Sequence, residues 1–302
     1  MSHESSSIKS IIYAFLANLG IAIIKTIAAI ITGSGSMLAE SIHSFADCGN
    51  QGLLFLGIRR SKKNPNPDHP MGYGKEIYFW SFIVAIILFS MGGVFSIYEG
   101  IHKLNSTELL TNPYMAIIVL AISIVLEGAS LMGCLKEVNK IRANQSLFRW
   151  LQDSNKSELI VVLGEDIAAL LGLTFALIAI TLSVITGNPI YDAIGSIGIG
   201  VLLTIISFLI GFKVKGLLIG KSLPPDEREI IMNTIINNPK VEKVFNLITV
   251  QFGDNTMVAV KAKFKDAKTI DEISEEINTC EKEIKNNLLS VKWIFFEPDN
   301  KE

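Results

Sequence analysis

Six stretches of this sequence, residues 10–31, 37–58, 77–99, 114–135, 159–186 and 190–212, stay apolar for about twenty residues or more. In hydrocarbon every backbone N–H and C=O must be satisfied inside the segment, so apolar runs of this length can only be spanning helices. The chain is therefore expected to be a polytopic α-helical membrane protein with six transmembrane helices. At 302 residues it is too long for one span, and a mean hydropathy of +0.43 is too high for an ordinary soluble domain.

The charges mark a boundary. Residues 213–302 hold 14 Lys/Arg and 15 Asp/Glu, about half of all charges in under a third of the chain. The sequence thus divides into a membrane domain, 1–212, and a soluble domain, 213–302, long enough to bury a core of its own. The tail reads helix, strand, strand, helix, strand: 224–237, 243–252, 256–264, 269–287 and 291–296, with Gly253-Asp254-Asn255 as the hairpin signal. This order predicts a small α+β domain of ferredoxin-like, metallochaperone-like type.

Lys and Arg crowd the 2–3 connection (Arg59, Arg60, Lys62, Lys63, Lys75), the 4–5 connection and the segment after span six. The other loops are nearly free of them. The positive-inside rule places both termini and the tail in the cytoplasm or its equivalent. The N-terminus MSHESSSIKS is polar and reads neither as a separate cleavable signal nor as an Arg-rich presequence. That favours a bacterial plasma (inner) membrane over an organelle. No basic cluster suggests nucleic acid, and Cys48, Cys134 and Cys280 show no disulfide or CxxC spacing.

Span two, SMLAESIHSFADCGNQGLLFLGI, carries Glu40, His43 and Asp47, followed by Asn50. At 100° per residue these fall on one face. Ionisable groups inside a membrane are costly unless something compensates them, and a divalent metal ion would. His43 and Asp47, at i and i+4, suit zinc, and equally manganese, iron or cobalt. Span five offers Glu165 and Asp166, with Glu158 at its cytoplasmic entrance. Being adjacent, Glu165 and Asp166 cannot both face one ion squarely. Span four offers Glu127, which is a path residue, a partner of Lys25, or a buried protonated acid. Asp192, at the start of span six, reads as structural. No HExxH or GxSxG motif suggests an enzyme.

SMLAESIHSFADCGNQ, DHPMGYGKEIYFWSF ahead of span three, LGEDIAALLGL in span five and the closing FFEPD together resemble the cation diffusion facilitators. The likeness covers nearly the whole chain, and is to the branch that includes the mitochondrial zinc transporter of animals and many bacterial relatives. It implies a homodimer that exports or sequesters divalent metal, most readily zinc, by alternating access against protons, with no resident cofactor. It implies a site built from two residues of span two and two of span five, each pair four apart. His43, Asp47 and Asp166 match, but Val162 stands where a fourth ligand is expected, leaving Glu165, Glu127 or water to replace it. A loop site implied for some relatives is matched by Asp68 and His69, but Tyr73 stands where a second His would be. The four histidines are His3, His43, His69 and His102, so the tail has none. It is expected to dimerise rather than to hold a zinc cluster.

The expected path runs from the cytoplasm past Glu158 to His43, Asp47 and Asp166, with Glu40 on the exit or proton path. Metal requires neutral imidazole and ionised carboxylates, so protons compete with it. The ordinary imidazole pKa of about 6.5 makes His43 the natural coupling group. Two alternatives stand beside zinc antiport. One is the same antiport with manganese, iron or cobalt as substrate. The other is a non-transporting membrane protein whose tail recruits partners.

Overall fold

The computed structural model describes residues 18–104, 110–142, 145–265 and 269–301. Helix α1 (Asn18–Thr32) is followed by α2 (Gly35–Ser61), α3 (Glu76–Leu104), α4 (Pro113–Ile141), short α5 (Leu147–Asp153), α6 (Ser157–Thr186) and α7 (Ile190–Ile219). The tail follows as α8 (Pro225–Ile236), β1 (Val241–Phe252), β2 (Asn255–Phe264), α9 (Ile270–Asn287) and β3 (Val291–Pro298). Four of these helices, α3, α4, α6 and α7, are long and apolar enough to cross a membrane, among the described residues. Helix α2 is 27 residues long but carries the polar stripe. The first turns of the expected first span lie outside the described residues.

The chain forms two compact units. The first runs to Gly57 and takes in Phe79–Gln145 and Ser157–Val214; the second gathers Ile58–Tyr78, Ser146–Lys156 and Lys215–Glu302.

In the first unit, small residues spaced seven apart let two helices touch backbone to backbone. A Cβ at Gly200 of α7 would lie 2.7 Å from both the Gly93 carbonyl and the Ile97 nitrogen of α3. One at Gly100 of α3 would lie 2.8 Å from the Ala193 carbonyl and the Ile197 nitrogen of α7. The two helices therefore run antiparallel in contact, the arrangement that small residues favour where lipid supplies no hydrophobic drive. Gly93 lies in a π-helical segment, Leu88–Val94, that widens α3 at this contact. Other glycines of the apolar stretches differ: Gly128 and Gly133 of α4 face open space.

Asp192 opens α7, where an acid suits the helix dipole, but its carboxylate reaches a different helix. Oδ1 accepts from Ser34 Oγ at 2.7 Å and from the Ser36 N–H at 3.2 Å, and Oδ2 accepts from the Gly35 N–H at 2.6 Å. Ser36 Oγ donates to the Asp192 carbonyl at 2.8 Å. Asp192 thus caps the N-terminus of α2 from a neighbouring helix, fixing the start of the helix that carries the polar stripe. Asp192→Ala leaves these donors unpaired in a buried place, and a loss of about 2–4 kcal/mol is expected. Thermal unfolding in detergent reads it; an unchanged midpoint would mean that the cap contributes nothing.

The second unit holds a three-stranded sheet in the order β1-β2-β3, with β1 and β2 antiparallel and β2 and β3 parallel. Alternate residues of β2 (Thr256, Val258, Val260, Ala262) are buried, as a strand with one covered face requires. Val258, Val260 and Ala262 join Ile231 and Ile235 of α8 and Cys280 and Ile284 of α9 in one apolar core. The observed order of helix, strand, strand, helix, strand is the expected one, with β1 and β3 two residues longer. Burial pushes the Cys280 thiol above its usual range, which makes it an unreactive core residue.

The β1–β2 turn is tightly held within this unit. Gly253 has φ +64° and packs on Gly74: a Cβ there would meet the Gly74 carbonyl at 2.6 Å. The Gly253 carbonyl accepts from the Tyr78 hydroxyl at 3.2 Å and the Asn155 amide at 3.0 Å. Lys156 pairs with Asp254 at 2.5 Å.

Candidate functional site: a carboxylate-lined cavity in the helical unit

Helix α2 buries its stripe completely at Glu40, His43 and Asn50, while Asp47 keeps a side-chain exposure of 17%. His43 Nδ1 and Asp47 Oδ1 are 3.5 Å apart, side by side one turn along the helix but not hydrogen-bonded. From α6, Glu165 and Asp166 are both buried. Asn50 donates to Glu165 Oε1 at 2.6 Å, and Ser130 of α4 donates to Asp166 Oδ1 at 3.3 Å. The two adjacent acids of α6 thus diverge, as the 100° step requires: one is tied to α2, the other to α4.

Between these helices lies a cavity of about 50 Å³, lined among others by Ser44, Asp47, Glu127, Val162, Glu165 and Asp166. That volume admits a few water molecules. Four carboxylates from three helices converge on it, and Val162 faces it as an apolar wall. His43 adjoins Asp47 without lining the cavity. Among the described residues, no three His, Cys, Asp or Glu side chains form a ready-made metal cage. The candidate ligands surround a space rather than a point.

Several polar atoms here are buried with no hydrogen-bond partner: both ring nitrogens of His43, Asp47 Oδ1, Asp166 Oδ2, Glu40 Oε1 and Asn50 Oδ1. Each such atom costs about 1–3 kcal/mol, and buried polar groups are almost always satisfied. The unpartnered atoms are concentrated on α2 and the neighbouring α6. An imidazole nitrogen and carboxylate oxygens are the donor set of a divalent metal ion.

The remaining candidates stand apart from the cavity. Lys25 of α1 pairs with Glu40 at 3.4 Å; of the readings open for Glu127, pairing with Lys25 is not the one observed, and Glu40 has a fixed neighbour. Glu158 sits in the first turn of α6, away from the cavity lining. Asp68 and His69 are exposed in the second unit. The His69 ring stacks on Tyr73 with centroids 4.4 Å apart, and the Tyr73 hydroxyl accepts from Asn66 at 2.9 Å. Tyr73 therefore occupies the neighbourhood of a second loop ligand. Ser130, a cavity residue with no sequence motif of its own, follows Glu127 by three residues and so shares its face of α4.

Residues 11–219 match the cation efflux transmembrane domain, more than two thirds of the sequence. The chain belongs to the cation efflux family. This is the family of the cation diffusion facilitators, whose characteristic segments it carries in α2 and ahead of α3. Among cation efflux relatives, it is 36% identical over 234 residues to the proton-coupled zinc antiporter SLC30A9, mitochondrial, of Homo sapiens, covering 76% of this chain and 41% of the human protein. It is 32% identical over 219 residues to metal tolerance protein C4 of Arabidopsis thaliana, covering 71% of this chain and 48% of the plant protein. It is 25% identical over 281 residues to magnetosome protein MamB of Paramagnetospirillum magneticum, covering 88% of each chain. The aligned region thus spans less than half the length of the human and plant relatives. As a cation efflux protein the chain is a membrane protein of a transporter family, consistent with the missing enzyme motifs.

Proposed function

We propose that this protein exchanges a divalent metal ion, zinc before others, for protons across a membrane. The carrying observation is the set of unpartnered buried atoms on Asp47 and Asp166, which line one cavity, and on His43 beside Asp47. A metal would take one imidazole nitrogen and the carboxylate oxygens, and protons are its natural competitors for the same atoms. The human relative's name, a proton-coupled zinc antiporter, supports both halves of the reading. His43, Asp47 and Asp166 then hold the ion. Glu165, oriented by Asn50, or Glu127 across the cavity stands in for the ligand absent at Val162. Glu158 draws cations toward the entrance. The oxygen-rich lining supports manganese, iron or cobalt as the next candidates.

The same proposal includes six spans, α1 and α2 joining the four long apolar helices as a domain of residues 1–212. It gives a cytoplasmic ferredoxin-like tail of residues 213–302 that dimerises, both termini on that side, and a bacterial plasma membrane as the setting. Asp68 and His69 remain a weaker loop site.

Flux decides the central claim. Purified protein in proteoliposomes should move zinc down an opposed pH gradient, faster than manganese, iron or cobalt. Collapsing the gradient with an ionophore should abolish accumulation. No metal-dependent flux with any of these ions would overturn antiport and leave the reading of a non-transporting protein with a partner-recruiting tail.

A further inference from the structure

Lys25, halfway along α1, is fully buried although it carries an ammonium group. It donates to Ser44 Oγ at 2.7 Å and to Glu40 Oε2 at 3.4 Å, both on α2. The other Glu40 oxygen has no partner and is pressed against Gly172 of α6, where a methyl group would collide with it. A buried ion pair seldom stabilises a protein more than apolar side chains of the same shape would. Architecture alone is therefore a poor explanation for this one.

Its position offers another. Ser44 is at once the acceptor of Lys25 and part of the cavity wall, and Asn18 and Ile21, two turns and one turn before Lys25 on α1, line the same cavity. Lys25 is also within electrostatic range of His43 and Asp47. A fixed positive charge thus stands beside a cavity faced by four carboxylates.

We propose that Lys25 sets the affinity of the transport site, as a tethered counter-cation that balances the carboxylates when metal is absent and repels the metal when it is bound. This rests on reading the His43–Asp47–Asp166 centre as the transport site. Glu40 is a positioning residue: it holds the ammonium at the edge of the cavity and out of it. A transporter must release what it binds, and a built-in competitor of like sign lowers affinity without removing a ligand. At an effective dielectric of about 20, a unit charge within about 10 Å of a divalent ion repels it enough to change a binding constant tenfold or more.

The test uses calorimetric zinc titration of the purified full chain, with transport rates in proteoliposomes. Lys25→Met should bind zinc about tenfold more tightly, with a lower KM and a lower maximal rate, because release slows. Lys25→Arg, which keeps the charge, should retain the original affinity. Glu40→Gln, which frees the ammonium, should weaken binding. A purely architectural pair would instead make both neutralising variants bind more weakly, and unchanged or weaker binding in Lys25→Met overturns the proposal. If Lys25→Met alone does not fold, the comparison moves to the Glu40→Gln background. There, adding Lys25→Met should tighten binding, and equal or weaker binding overturns the proposal. If the unaltered chain binds no zinc in the calorimeter, the site reading itself fails and the role of Lys25 falls with it. Failure of the Lys25 comparison alone leaves zinc binding by the unaltered chain intact.

Discussion

Replacing His43 and Asp47 together by alanine should lower metal flux in proteoliposomes at least about a hundredfold, since losing even an outer partner of a metal ligand costs tenfold to a hundredfold. The two side chains supply three of the unpartnered buried atoms of α2, His43 Nδ1, His43 Nε2 and Asp47 Oδ1. In the metal-free protein those atoms cost free energy, so their removal should not cost stability in proportion to their burial. The unfolding midpoint without metal should change little, the space left by the ring offsetting the relief of unsatisfied groups. The difference appears when zinc is added. A ligand that binds only the folded state stabilises it by about 2.7 kcal/mol at a hundred times its dissociation constant. The unaltered protein should therefore unfold at a higher temperature with zinc, and the double variant should not. Zinc protection and flux that both survive the double replacement would move the site elsewhere in the molecule.

Gly200→Val should be the most damaging single change in the helical unit. Its first added carbon would already lie 2.7 Å from backbone atoms of α3 on two sides, the Gly93 carbonyl and the Ile97 nitrogen. Neither can turn aside as a side chain can, so α3 and α7 must separate. Overpacking commonly costs about 1–3 kcal/mol, and a branched residue against rigid backbone belongs at or beyond the upper end. The helix that moves, α7, also carries Asp192 and with it the cap of α2, so the damage should reach the cavity. Yield of folded protein and unfolding temperature in detergent should both fall, and zinc binding should weaken with them. Gly133→Ala on α4 is the control: a methyl there meets open space, and the better helix propensity of alanine should leave stability unchanged or raised by a few tenths to about 1 kcal/mol. Equal losses in both variants would mean that glycine matters here for backbone freedom and not for helix contact.

Much of this arrangement is legible in the sequence, for identifiable reasons. Spanning length is a local property, so apolar runs mark helices directly. The tail is legible because its two strands alternate and its turn carries glycine. The polar stripe of α2 is legible because helical geometry fixes which residues share a face. What each stripe residue faces is another matter. Glu40 reads as a path residue because it lies one turn outside the pair that the family resemblance matches. Its partner Lys25 lies 15 residues away on another helix, and no periodicity relates the two. Asp192 reads as an acid at its own helix N-terminus, because the donors it accepts from lie more than 150 residues earlier. Val162 shows the reverse case: the departure from the family's pattern and the acids that could replace the ligand are visible in the sequence, while their convergence on one cavity needed the folded helices.

The second unit is not one stretch of chain, and this bears on how the protein is made. Two of its segments, Ile58–Tyr78 and Ser146–Lys156, leave the ribosome well before the third, which begins at Lys215. Until that last segment is synthesised, the Tyr78 hydroxyl and the Asn155 amide lack the Gly253 carbonyl that accepts from both, and Lys156 lacks Asp254. The apolar core of the sheet and its two helices cannot form during most of translation, since its residues all lie beyond Lys215. The early segments must wait unassembled while the helices between them are inserted. A chain that stops early, or a nonsense mutation after α7, therefore removes more than a tail: it strands two connections whose hydrogen-bonding partners were never made.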